Sequence, residues 1–212
     1  DIKLLQNDLE ESLKNLKVSE LECLLLHNEN DLFREGNSFL LEWIDKIKHR
    51  GLIKNFGVSI YNFKKVDQIK KLNLDIIQLP LSIYDRNNSE SGFIDSLNNI
   101  PLKIQVRSIY LQGIILSKPN MLPDWIEKSD YESHVLFQNE LRRYGITPIQ
   151  AAINYVKSIK SIYSVVIGIT SMGELEEFNE IWNKDFNFDL FKTLNLPLFS
   201  KKVLDPRQWP IK

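Results

Sequence analysis

Cysteine occurs once in this chain, at Cys23. No internal disulfide can form, and the composition points to a reducing compartment, the cytoplasm. Cys23 lies inside an apolar run and reads as core rather than as a reactive thiol. No apolar stretch is long enough to span a bilayer, and the N-terminus lacks signal-peptide character. Charge of one sign is missing too. The chain has 27 Lys and Arg against 28 Asp and Glu, with no basic run, for a formal net charge of −1. That removes the electrostatic signature of nucleic-acid binding. There is no Gly-rich phosphate loop, no Cys/His cluster at zinc spacing and no Gly-x-Ser-x-Gly. The first residue is Asp1, not methionine, as expected of a processed, trimmed or excerpted chain.

What is present is strand–helix alternation. The 212 residues suit one globular domain with an ordinary core. Leu4, Leu5, Leu9, Leu13 and Leu16 recur at helical spacing, which predicts a helix over 4–16. A second helix is expected over 38–50, with Phe39, Leu40, Trp43, Ile44 and Ile47 inward and Gly51 closing it. Phe63, Val66, Ile69 and Leu72 mark another, and residues 91–99 a weak one. Helices over 130–144, 149–160 and 172–183 follow, the second opened by Thr147-Pro148 and the third by Ser171 with Glu174 in capping-box spacing. The proline-punctuated tail 184–212 is expected to wrap the outside.

Between these helices lie five strand-like runs, 22–27, 55–60, 75–81, 103–109 and 164–169. Each carries a polar residue at or near its C-terminal end: His27, Ser59, Gln78, Arg107, and Thr170 with Ser171 just past the last. Pro80 is expected to end the pairing of its run. Apolar strands alternating with helices mean a parallel sheet. In such sheets the strand ends converge where ligands bind. Five units fit either a doubly wound sheet or part of a (β/α)₈ barrel, and composition does not choose.

Five segments, matched in order and spacing, resemble the aldo-keto reductases. They are SLKNLKVSELECLLLH at 12–27, GLIKNFGVSIYNFKKV at 51–66, LDIIQLPLSIYDR at 74–86, VRSIYLQGIIL at 106–116, and TPIQAAINYV with VVIGITSMGELEE between 147 and 177. The resemblance implies a (β/α)₈ TIM barrel and reduction of a small-molecule carbonyl by NAD or NADP, with no nucleic-acid or membrane partner. It also implies an incomplete barrel. The chain looks like the family from the third helix onward, with strands four to eight. The first three βα units, about 90 residues at roughly 30 each, would be absent, and with them the catalytic Asp, Tyr and Lys.

By the same register His27 matches the family's catalytic histidine, a hydrogen-bond donor that orients the carbonyl. Without the register it is a satisfied histidine at a strand end. Ser59 and Gln78 match the positions that bind the nicotinamide carboxamide. Ile60 stands where the family usually has Asn, which puts one carboxamide contact in doubt. Arg107 replaces a common stacking Tyr. A guanidinium there can stack on the nicotinamide, pair with an anion, or form a salt bridge with an acid such as Asp85. Ser108, Leu111, Gln112 and Gly113 resemble the pyrophosphate loop. Gly168, Thr170 and Ser171, with the helix start, resemble the adenosine-phosphate site, and Glu177 matches an adenine contact. Members that select NADP often carry Lys or Arg at the positions of Gly168 and Glu174. Glu174 would repel a 2′-phosphate, which leans the cofactor towards NAD, unless it serves only as the capping carboxylate. The competing reading is a non-catalytic truncated barrel that binds a nucleotide or a partner through its exposed edges.

Overall fold

The computed structural model describes residues 2–61, 71–86, 92–97 and 100–210. These fall into two compact units, Asp1–Leu79 with Ser96–Gln105, and Pro80–Asp95 with Val106–Lys212.

The first unit opens with α1 (Ile2–Leu16), whose Leu9 and Leu13 are buried while Leu4 and Leu16 remain exposed. Strand β1 (Leu21–Leu26) follows, then α2 (Ser38–His49), β2 (Ile53–Ser59) and β3 (Ile76–Pro80). β1 pairs with β2 and β2 with β3, both in parallel. The start of β4 (Lys103–Arg107) lies next, where the Lys103 N–H donates to Asp75 O at 2.9 Å. The buried stripe of α2 is Trp43, Ile44 and Ile47. Phe39, expected inward, is 68% exposed. It sits in the first turn of α2, before that stripe begins, beside an open hollow it shares with Leu4 and Leu26. Asp75 accepts from Lys48 Nζ at 2.6 Å and from the Phe56 N–H at 2.8 Å, tying α2 to the entry of two strands. β2 begins earlier than the run at 55–60 predicts, because Ile53 is already paired with Leu21 and fully buried.

In the second unit, Leu81 N donates to Arg107 O at 3.1 Å, the last ladder bond, and the strand ends at the donorless Pro80 as expected. A short helix, α3 (Phe93–Ser96), replaces the longer one expected over 91–99, of which residues 91, 98 and 99 lie outside the described residues. Of the helix expected at Phe63, Val66, Ile69 and Leu72, the first three residues lie outside them as well, and Leu72 is not helical. α4 (Lys128–Arg143) and α5 (Pro148–Ser158) are in contact, and each buries a face, with Phe137 and Leu141 on the first and Ala151, Ala152 and Val156 on the second. α5 starts on a complete capping box, with Gln150 N to Thr147 Oγ1 at 3.3 Å and Thr147 N to Gln150 Oε1 at 2.9 Å. Strand β5 is Ile162–Val165, shifted towards the N-terminus from the run at 164–169, and Val166 N donates to Val106 O at 2.7 Å. Gly168–Thr170 therefore lies in irregular chain beyond the strand. α6 (Met172–Asn183) follows. The tail carries α7 (Leu190–Thr193) and α8 (Lys201–Leu204). It is fixed by Ser200, whose N–H and hydroxyl both donate to buried Asp130, and by Phe199, whose ring stacks on Tyr84. The rings of Trp125 and Trp209 lie 5.0 Å apart, and Trp182 stacks on Phe178. Cys23 is half-buried rather than core, and burial pushes its thiol up to about 11.

Candidate functional site

In the first unit, His27 is the residue immediately after β1 and is exposed. The turn behind it is anchored at both ends. Asn28 accepts from Asn30 N at 3.0 Å, and the buried Glu29 carboxylate accepts from Tyr61 N at 2.9 Å, just past β2. Ser59 and Gln78 are register partners on β2 and β3, and Ile60 N donates to Gln78 O at 2.8 Å. Ser59 is 4% exposed. Gln78 donates from Nε2 to Gln105 Oε1 at 2.8 Å, which orients its amide. Parallel pairing thus sets these two side chains abreast.

The second unit holds a cleft of about 760 Å³, within the roughly 300–1,000 Å³ of small-molecule sites. One wall is the loop after β4. Arg107 ends the strand because Ser108 takes a left-handed backbone, φ 62°. Leu111, Gln112 and Gly113 follow at φ 47°, 50° and 89°. Left-handed non-glycine residues are uncommon and cluster where a loop is shaped for a purpose. The opposite wall is the irregular chain from Val166 to Thr170 and the first turns of α6. Arg107, Ser108, Gln112, Gly113, Gly168 and Thr170 all line the space, as do Glu174 and Glu177. Gly113 and Gly168 face open space where a side chain would project.

Two of the expected residues point elsewhere. Leu111 is 2% exposed and packs into the core. Ser171 is the N-cap of α6, its hydroxyl accepting from Glu174 N at 3.3 Å. Glu174 does not return that bond to the cap residue at comparable strength. Its carboxylate accepts chiefly from Thr170, at 2.6 Å from the N–H and 2.9 Å from the hydroxyl. Those bonds hold its pKa below the ordinary carboxylate value. A fixed negative charge therefore covers the amide at the mouth of α6.

Sequence reading missed part of the cleft. Tyr110, Ile149, Val166 and Ile169 line it. Burial, with the Glu177 and Glu174 carboxylates nearby, pushes the Tyr110 hydroxyl up to about 12. Nothing local in the sequence marks Tyr110, since its place depends on the left-handed turn that follows. Among the described residues, no group of three or more His, Cys, Asp or Glu is placed to hold a metal ion. None of the described helices is long and apolar enough to cross a membrane.

Parallel strands alternating with helices define an α/β protein. The sequence matches the family model of the aldo/keto reductase family over residues 3–195, and the chain belongs to that family. The fold agrees. The apo form of aldo-keto reductase AKR11C1 from Bacillus halodurans superposes with TM-score 0.78 at 16% identity, covering 94% of this chain and 71% of that one. Its holo form gives 0.77 at 17%, covering 95% and 70%. The thermostable aldo-keto reductase Tm1743, in complex with the inhibitor epalrestat, gives 0.66 at 16%, covering 90% and 65%. Among curated proteins, none matches the sequence. The family match runs almost from end to end of the chain and does not bear out the expectation of a C-terminal two-thirds with three βα units wanting.

Proposed function

We propose that this protein is an NAD(P)-dependent oxidoreductase that reduces an aldehyde or ketone to an alcohol, with a preference for NAD over NADP. The observation that carries the reading is the coincidence, in one cleft of the second unit, of eight of the residues that the family register assigns to a dinucleotide: Arg107, Ser108, Gln112, Gly113, Gly168, Thr170, Glu174 and Glu177. When bound, the reduced nicotinamide supplies the hydride.

The chain's own residues divide the remaining work. The Ser108–Gly113 loop, with its left-handed backbone and its glycine open to the cleft, suits a pyrophosphate. Arg107, half-buried at the strand end, offers a plane for stacking and a charge for a phosphate. Glu177 lines the cleft, and by the family register it is the acceptor for an adenine amino group. Glu174 sets the cofactor preference. Its carboxylate is fixed on Thr170, so a ribose 2′-phosphate would meet a charge of its own sign where a basic grip is wanted. In the first unit, Ser59 and Gln78 are the partners for a carboxamide, and exposed His27 is the hydrogen-bond donor that orients a carbonyl.

The test is carbonyl-dependent oxidation of NADH across a panel of aldehydes and ketones. Turnover is expected with the native protein, and His27→Ala is expected to lower kcat by about a hundredfold while NADH binding persists. Nucleotide binding without turnover on any carbonyl would instead favour a non-catalytic binding module.

A further inference from the structure

Beside the cleft, and not part of it, lies a buried polar chain that nothing in the sequence marks. His134, on α4, is 1% exposed. Its Nε2 lies 2.9 Å from Ser117 O. A carbonyl oxygen only accepts, so Nε2 carries the proton and Nδ1 presents a lone pair. Tyr84 fills that requirement, with its hydroxyl 2.5 Å from Nδ1. Tyr84 is itself held by Phe199, stacked at 3.7 Å, and by the edge of Phe137 at 4.9 Å. Gln138, one helical turn along α4, donates from Nε2 to the same Ser117 oxygen at 3.1 Å. Ser117 in turn grips the cleft loop, for both its N–H and its hydroxyl donate to Gly113 O at 3.0 Å.

The line of force therefore runs from α4 through Ser117 to Gly113. Leu111, Gln112 and Gly113 hold left-handed backbone, and two of the three are not glycine. Such conformations persist only where the surroundings over-determine them. The Ser117 anchor supplies that constraint from behind, leaving the exposed side of Gln112 and Gly113 free to line the cleft.

We propose that His134 and Gln138 are positioning residues for the nucleotide-contacting turn at Gln112–Gly113, acting through Ser117, a role that presupposes that the cleft holds a dinucleotide. Neither residue touches the ligand. Their effect is to present the turn already shaped, so that binding does not have to order it.

Two readouts test this. The first is hydrogen exchange at the Gly113 and Ser117 amides in nucleotide-free protein. The second is the NADH dissociation constant, measured well below the unfolding temperature. His134→Phe removes both imidazole bonds. Exchange at the two amides is expected to rise about tenfold or more, and the NADH Kd about tenfold, as for the loss of one or two buried hydrogen bonds. His134→Gln restores a donor to Ser117 O and is expected to recover most of both. If His134 served only overall stability, His134→Phe would lower the unfolding temperature with exchange and Kd unchanged, and that result overturns the proposal. Should His134→Phe not fold, Gln138→Met and Ser117→Ala carry the test, each expected to move both readouts by about threefold. No change in either variant likewise overturns it. Native protein that binds neither NADH nor NADPH overturns the reading of the cleft, and this role with it. The exchange measurement, which needs no nucleotide, tells that failure from a failure of the anchor.

Discussion

Gly57 sits on β2 where a Cβ would collide with the Ile76 carbonyl oxygen and meet Leu25 Cδ2 at 2.8 Å. The nearer of these is backbone of β3 and cannot rotate aside. Gly57→Ala is therefore expected to destabilise the protein by about 2 kcal/mol or more, read as a lower urea midpoint with circular dichroism of the native form at zero denaturant. His134 gives a prediction in pH. Burial lowers its pKa below the ordinary 6.5, so the folded protein takes up a proton less readily than the unfolded chain. Its contribution to stability is complete above that ordinary value and is lost as pH falls through the lowered one. Between about pH 7.5 and about pH 5 the native protein should lose more urea resistance than His134→Gln, which has no imidazole to titrate. Equal losses in the two would show that His134 does not contribute. For single residues the sequence made strand-end position legible, as at His27, Ser59 and Gln78. Tyr84 and His134 lie 50 positions apart, and only the folded chain makes them neighbours. Leu111 belongs to the segment that resembles the pyrophosphate loop but faces inward, because a left-handed turn redirects side chains in a way that no residue type announces.

At the scale of the element, helices were the easiest to read. Leu9 and Leu13 mark the buried face of α1, and the Thr147-Pro148 start of α5 carries both halves of its capping box. Strand limits were harder, since they are set by partners and not by composition. β2 begins at Ile53 because Leu21 is there to pair with it. β5 ends at Val165 although apolar residues continue through Ile167. That early end matters to the cleft, because the chain from Val166 to Thr170 is then irregular and free to form a wall. α6 shows how one element sets chemistry. Ser171 caps the helix in the ordinary way, while Glu174 reaches one residue further back, to Thr170. A carboxylate therefore stands at a helix start whose amides would favour a phosphate.

For the whole molecule, the central claim is that the second unit's cleft takes a dinucleotide and prefers the one without a 2′-phosphate. Family membership was legible in the sequence because five segments kept their order and spacing, even though similar solved structures share only 16–17% identity. The cleft itself was not legible as a volume. It depends on the left-handed loop after β4 and on the early end of β5. The most direct measurement is titration of the native protein and of Glu174→Lys with NADH and with NADPH, followed by nicotinamide fluorescence. The native protein should bind both saturably, NADH about tenfold or more tightly, and Glu174→Lys should reverse or abolish the preference. Binding of neither nucleotide, or a preference for NADPH that Glu174→Lys leaves untouched, would contradict the account.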